Sequence, residues 1–142
     1  MTRYVIDAAT LLQLVGGGAQ VAPEHQIVAP NWIRSEALSL LLDAVDRGQL
    51  SEKTALEQHE RITELKMRLL GDRVSRRTAW GIARKHGWAS TRDAEYLAIT
   101  QLQADALVTV DATLAAKAEG LVPLAPFGAL HAASSRKTSS TP

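Results

Sequence analysis

The sequence predicts an α/β fold: a central, mostly parallel sheet with helices on both faces. Three observations carry this. Apolar runs of strand length, Tyr4-Val5-Ile6, Gln26-Ile27-Val28-Ala29 and Ala106-Leu107-Val108-Thr109-Val110, alternate with longer runs of helical periodicity, the order that gives parallel strands joined by crossover helices. Two of the strands end directly on a carboxylate, Asp7 and Asp111, with a helix start immediately behind. And at 142 residues the chain has the size of one domain with a core of its own.

After Asp7, Ala8 to Val15 reads as a short helix stopped by Gly16-Gly17-Gly18. The glycines lack the distal Gly-Lys-Ser/Thr of a phosphate loop, so a helix stop and turn is the reading. The second strand closes at Pro30, Asn31 is the expected N-cap, and a helix is expected from Trp32 to about Arg47, stopped by Gly48. Ile33, Ala37, Leu40, Leu41 and Ala44 make one stripe, widened by Leu38, Leu42 and Val45. A helix apolar over so much of its girth is usually covered on more than one side, by the next helix or by a second subunit. Ser51 to Leu70 is expected as a charged amphipathic helix, Arg73-Val74-Ser75 as a short edge strand, and Ala79 to His86 as a further helix. Together, residues 48–87 read as a helical arm. Ser90 and Asp93 have the spacing of a capping box for a helix running to about Gln103, on which Ala94, Leu97 and Ala98 pack, extended by Tyr96 and Ile99. A helix Ala112–Ala118 follows Asp111, then a stop at Glu119-Gly120 and a last strand around Leu121-Val122. Residues 1–130 thus form the domain. The Ser/Thr-rich residues 131–142 read as a disordered polar tail.

Composition excludes several function classes. The chain has no cysteine, which removes disulfide frameworks, thiolate zinc sites and a cysteine nucleophile. The histidines at 25, 59, 86 and 131 are scattered, without zinc-ligand spacing. No apolar run approaches a membrane span, and Asp7 interrupts any signal-peptide core, so a cytoplasmic protein is expected. There is no Gly-x-Gly-x-x-Gly for a dinucleotide, nor the acid and lysine set of a receiver domain. The net charge is only +1, but it is unevenly spread. Between residues 66 and 92, Lys66, Arg68, Arg73, Arg76, Arg77, Arg84, Lys85 and Arg92 face a single acid, Asp72. Such a stretch is either a solvated face or a phosphate-binding surface. Trp80 and Trp88 lie within it; they could stack on bases, but the core is the expected place for both.

Asp7, Glu36, Asp93 and Asp111 each stand just after a strand or in a helix's first turn. Each aspartate alone has a capping explanation, and Glu36 alone reads as a solvated glutamate. A doubly wound sheet could bring all four to its carboxyl edge, where mutual repulsion would raise their pKa values unless a hard divalent cation joined them. Such a site could activate water and neutralise a phosphodiester transition state.

These four acids, in the settings Tyr-Val-Ile-Asp7, Arg34-Ser35-Glu36-Ala37-Leu38, Arg92-Asp93-Ala94-Glu95-Tyr96-Leu97-Ala98 and Leu107-Val108-Thr109-Val110-Asp111, resemble the four acidic motifs of the PIN domain. Small size and a mid-chain arm are most similar to the toxin members of VapBC-type toxin–antitoxin modules. The resemblance covers about residues 1–130. It implies a PIN-like three-layer α/β/α fold and an endoribonuclease dependent on Mg²⁺, with Mn²⁺ as substitute. It also implies a homodimer and inhibition by a small antitoxin. By resemblance Asp7, Asp93 and Asp111 would be the direct metal ligands, with Glu36 acting through water or as proton acceptor. On the phosphate-binding reading of the basic stretch, RNA would lie along Arg73, Arg76, Arg77, Arg84, Lys85 and Arg92. The chain departs from many relatives in carrying Ala8 and Ala9 where a hydroxyl or amide often follows the first acid, Thr10 being the nearest hydroxyl, and Thr113 where some have a fifth acid. A non-catalytic PIN-like module that binds RNA or a partner is the alternative.

Overall fold

In a computed structural model, which describes residues 1–18 and 20–132, four parallel strands form one sheet in the order β3-β2-β1-β4. They are β1 (Thr2–Ile6), β2 (His25–Pro30), β3 (Arg68–Leu70) and β4 (Ala106–Val108). Val5 of β1 stands opposite Val28 on one side and Leu107 on the other, and Val28 opposite Arg68. The central strands read as continuous apolar runs because helices cover both faces: Val5, Ile6, Ile27, Val28, Ala29, Leu107 and Val108 are all buried.

Strand order dictates which helix goes where. From β1 the chain steps outward to β2 and then β3, so right-handed crossovers put their helices on one face. These are α1 (Ala8–Gly17), α2 (Ile33–Asp46) and α3 (Glu52–Glu64), which pack on one another. It then returns past β1 to β4, which puts this crossover on the other face, where α5 (Arg92–Gln103) contacts β1, β2 and β4. The result is a three-layer α/β/α fold. Reversal of direction between β1 and β4 opens a crevice at their carboxyl ends, the place where open α/β sheets bind ligands.

Several sequence expectations are corrected here. The run Ser51–Leu70 is not one helix: α3 ends at Glu64 and Arg68–Leu70 is the edge strand β3. Arg73-Val74-Ser75 is not a strand but the first turn of α4 (Arg73–His86), capped by the Asp72 carboxylate, which accepts from the Ser75 amide at 2.8 Å and the Ser75 hydroxyl at 2.7 Å. The capping bonds outweigh the β-branched Val74. Residues 48–87 are therefore not helical throughout. They supply a strand of the sheet, and α4 docks on α5 through the buried alanines Ala79, Ala83, Ala94 and Ala98. The last strand is reduced to a single parallel bridge, Leu107 with Leu124, two residues beyond the expected run. Asn31 does not cap α2; Trp32 holds that position with no side-chain capping bond. The capping box at Ser90 is likewise replaced: Thr91 is the cap residue, and the Ser90 hydroxyl accepts from the Arg92 amide at 3.1 Å. Trp88 is partly buried as expected, but Trp80 is not in the core: it is 63% exposed.

The broad apolar girth of α2 is only partly covered. Ile33, Ala37 and Leu41 are buried, whereas Leu38, Leu40 and Leu42 are exposed. No helix among the described residues is long and apolar enough to cross a membrane. Residues 133–142 of the expected tail lie outside the described residues.

Candidate functional site

Asp7 follows β1 directly and caps α1, its carboxylate accepting from the Thr10 amide at 3.3 Å and from the Thr10 hydroxyl. It is 4% exposed. Burial pushes its carboxyl above the usual carboxylate range, and hydrogen bonds from the Thr10 and Thr109 side chains pull it only partly back. No lysine or arginine among the described residues forms an ion pair with it. Thr10 also accepts from the Val110 amide at 3.0 Å, tying the end of β4 to the start of α1. The hydroxyl absent at positions 8 and 9 is thus supplied one residue later.

Glu36, in the first turn of α2, is not a solvated glutamate: its side chain is 21% exposed. Its Oε1 accepts from the Tyr96 hydroxyl at 2.7 Å and its Oε2 pairs with Arg92 at 3.1 Å. The same Tyr96 hydroxyl accepts from the Ala8 amide at 3.1 Å. A single buried phenol therefore joins the residue after Asp7 to Glu36. Burial and the Glu36 carboxylate push the phenol far above its ordinary value, so it stays a donor across the whole working pH range. The residues around it are held in turn: Trp32 donates to Glu95 at 3.0 Å and lies under the Arg92 guanidinium, 4.9 Å away.

Asp93 opens α5, half-buried, and Lys117 of α6 (Ala112–Ala118) donates to its Oδ2 at 2.8 Å while lying 5.0 Å over the Trp88 ring. Trp88, Ala89, Ser90, Arg92, Asp93 and Lys117 line an open hollow of about 390 Å³. Asp111 follows β4, is exposed, and caps α6 through the Thr113 and Leu114 amides at 2.8 and 3.4 Å. A larger hollow of about 790 Å³, with Val15, His25 and Arg61 in its walls, sits at the amino edge of the sheet and contains none of the four acids.

The topology thus brings all four acids to strand ends or helix starts at the carboxyl edge. The side chains divide: Glu36 is tied through Tyr96 to the Ala8 amide next to Asp7, Asp93 is held by Lys117, and Asp111 is engaged as a cap. Among the described residues, no group of three or more His, Cys, Asp or Glu side chains is placed to hold one metal ion. In chemistry the donors suit a hard cation, being oxygen alone. Asp7 fits best: it is buried, and among the described residues it has no cationic partner. Mg²⁺ commonly takes one or two carboxylates and completes its shell with water and substrate phosphate, so Asp7 with one released neighbour would suffice. Of the basic residues, Arg92 borders this site; Arg73, Arg77, Arg84 and Lys85 are exposed along α4, and Arg76 is too but donates to the Gly71 carbonyl. Sequence reasoning missed Tyr96 and Lys117. A tyrosine on the packing face of a helix that also carries Asp93 is a signal for the first, because a buried phenol needs a partner; nothing in the sequence marks the second.

The chain matches no protein-family model and no curated protein. It is similar in structure to PAE2754 from Pyrobaculum aerophilum, known from a crystal structure, with a TM-score of 0.67 over 97% of this chain and 98% of that one, at 19% sequence identity. At that identity the two share the fold.

Proposed function

We propose that this chain is a metal-dependent endoribonuclease of the PIN-domain class, the toxin half of a VapBC-type module acting in the cytoplasm. The observation that carries the reading is Asp7: a buried carboxylate with no cationic partner among the described residues, at the strand-order reversal of the sheet. A carboxylate left charged in such a place is costly unless something positive joins it. Asp7, with Asp93 and Asp111 from the neighbouring helix starts, would hold Mg²⁺ or Mn²⁺. The chemistry such an ion supplies when bound is activation of water and neutralisation of phosphate charge.

The chain's own groups then have distinct tasks. Glu36 accepts a proton from the attacking water, and Tyr96 positions Glu36 by fixing one of its oxygens. Arg92 and Lys117 are cations at the mouth of the hollow and meet phosphate oxygens. The arginines of α4 hold the strand. Exposed Leu38 and Leu42 of α2, with Leu56 of α3, offer apolar surface for the second copy of a homodimer or for an antitoxin. Sedimentation as a clean monomer at micromolar concentration would remove the dimer.

One observation favours a second reading, a PIN-like module that binds RNA or a partner without cutting. Asp93 and Glu36 are already neutralised by Lys117 and Arg92. Purified protein incubated with mixed RNA and Mg²⁺ or Mn²⁺, beside EDTA and Asp93→Asn controls, separates the two. Cleavage lost in both controls supports the nuclease; biological effect retained when all four acids are neutralised supports the binding module.

A further inference from the structure

The outward side of α4 has an unusual composition. On a 3.6-residue repeat Arg73, Arg77, Trp80 and Arg84 fall on one stripe about 16 Å long, about 130° round the axis from the buried Ser75, Ala79 and Ala83. Trp80 is 63% exposed, whereas Trp32 and Trp88 pack against the core. Among the described residues Arg73, Arg77 and Arg84 form no ion pair, and Asp72, the acid that caps the helix, is bound to Ser75. A scattered exposed leucine needs no explanation. An indole left mostly in water between guanidinium groups does, since folding gains little from it there.

We propose that this face is a stacking platform for single-stranded RNA, with a base on the Trp80 ring and the flanking phosphates on Arg77 and Arg84. Single strands are held by this pairing of aromatic faces with a cationic track. A duplex keeps its bases stacked on one another and offers the ring nothing. The loop Gly87 to Thr91 leads from α4 to Arg92 and Asp93, so a strand along the stripe reaches the hollow of the candidate site. The identity of the ligand rests on the nuclease reading; the face also states what that reading leaves open, that the substrate is bound unpaired.

The test is binding in EDTA, where no metal-dependent cleavage occurs, followed by anisotropy of a short labelled single-stranded RNA and by quenching of tryptophan fluorescence. Trp80→Ala should weaken binding about 5- to 150-fold with an unchanged salt slope, Trp80→Phe should retain most of it, and Arg77→Gln should lower the salt slope by roughly 0.7. The matching RNA duplex should bind more weakly and ignore Trp80. Wild-type affinity in Trp80→Ala, equal binding of the duplex, or no binding at all overturns the proposal. So does quenching of Trp80 by polyglutamate at RNA-like affinity, which assigns the face to an acidic protein. A protein that binds through Trp80 and never cuts keeps this inference and removes the nuclease; one that cuts equally well as Trp80→Ala does the reverse.

Discussion

Tyr96→Phe removes one oxygen atom and tests the joint on which the site is built. The phenol is 2% exposed; it accepts from the Ala8 amide at 3.1 Å and donates to Glu36 at 2.7 Å. Phenylalanine keeps the ring and its edge contact with Trp32, whose centroid lies 5.2 Å away, so packing is unchanged. The Ala8 N–H, at a residue 2% exposed, is left with no acceptor, which costs about 1–3 kcal/mol. The bond to the Glu36 carboxylate would contribute about 1.5–3 kcal/mol if fully buried, but the side chain is 21% exposed and water recovers part of it. With about half of that second contribution kept, the sum is about 2–4 kcal/mol. With a urea m-value of about 2 kcal/mol/M, the unfolding midpoint should fall by about 1–2 M at unchanged m. Cleavage of RNA should fall as well, since Glu36 loses its fixed orientation, while affinity for RNA in EDTA stays the same. A midpoint within about 0.2 M of wild type would refute the claim that this hydroxyl holds the layers together.

Asp7→Asn should stabilise the protein. A carboxyl raised above its unfolded value weakens the fold as pH climbs past the ordinary value of 3.8 and restores it as pH falls. The variant should therefore melt higher than wild type at neutral pH, with the advantage gone near the ordinary carboxylate value; a variant less stable at neutral pH would refute the desolvation argument. Excess Mg²⁺ should raise the melting temperature of wild type, by the equivalent of about 2.7 kcal/mol at a hundred times Kd, and leave Asp7→Asn unmoved; equal shifts in both would exclude Asp7 as a ligand. Lys117→Gln breaks a pair whose side chains are 33% and 35% exposed, so stability measured in urea should change by less than about 1 kcal/mol. A larger loss would make the pair structural.

What could be read from the sequence follows from what leaves a periodic trace. β1, β2, β4 and the helices around them were legible because burial on both faces forces unbroken apolar runs, and Asp7 and Asp111 because each sits where such a run stops. β3 left no trace: three residues, Arg68-Leu69-Leu70, are too few for a period and continue the apolar pattern of the preceding helix. The start of α4 was hidden by Val74, although Asp72 three residues before Ser75 is a capping signal. The acids were legible as positions but not as a constellation. Whether Asp93 meets a metal or Lys117 depends on how α6 is set against the start of α5 across β4, a tertiary contact that no local periodicity encodes. Trp80 was misplaced for the opposite reason: hydrophobicity alone puts tryptophan inside, and only the helix phase against Ala79 and Ala83 turns it out.

The single bridge between Leu107 and Leu124 has a consequence for how the molecules behave in a crowd. An open sheet ends in two rims of unpaired amide and carbonyl groups, each a template for a neighbouring chain. One rim here is β3, only three residues long. At the other, the Leu107 amide donates to Pro123 at 2.9 Å and its carbonyl accepts from Ala125 at 3.0 Å, and the prolines at 123 and 126 cannot donate onward. The segment acts as a selvedge, finishing the fabric so that it neither frays nor takes another thread.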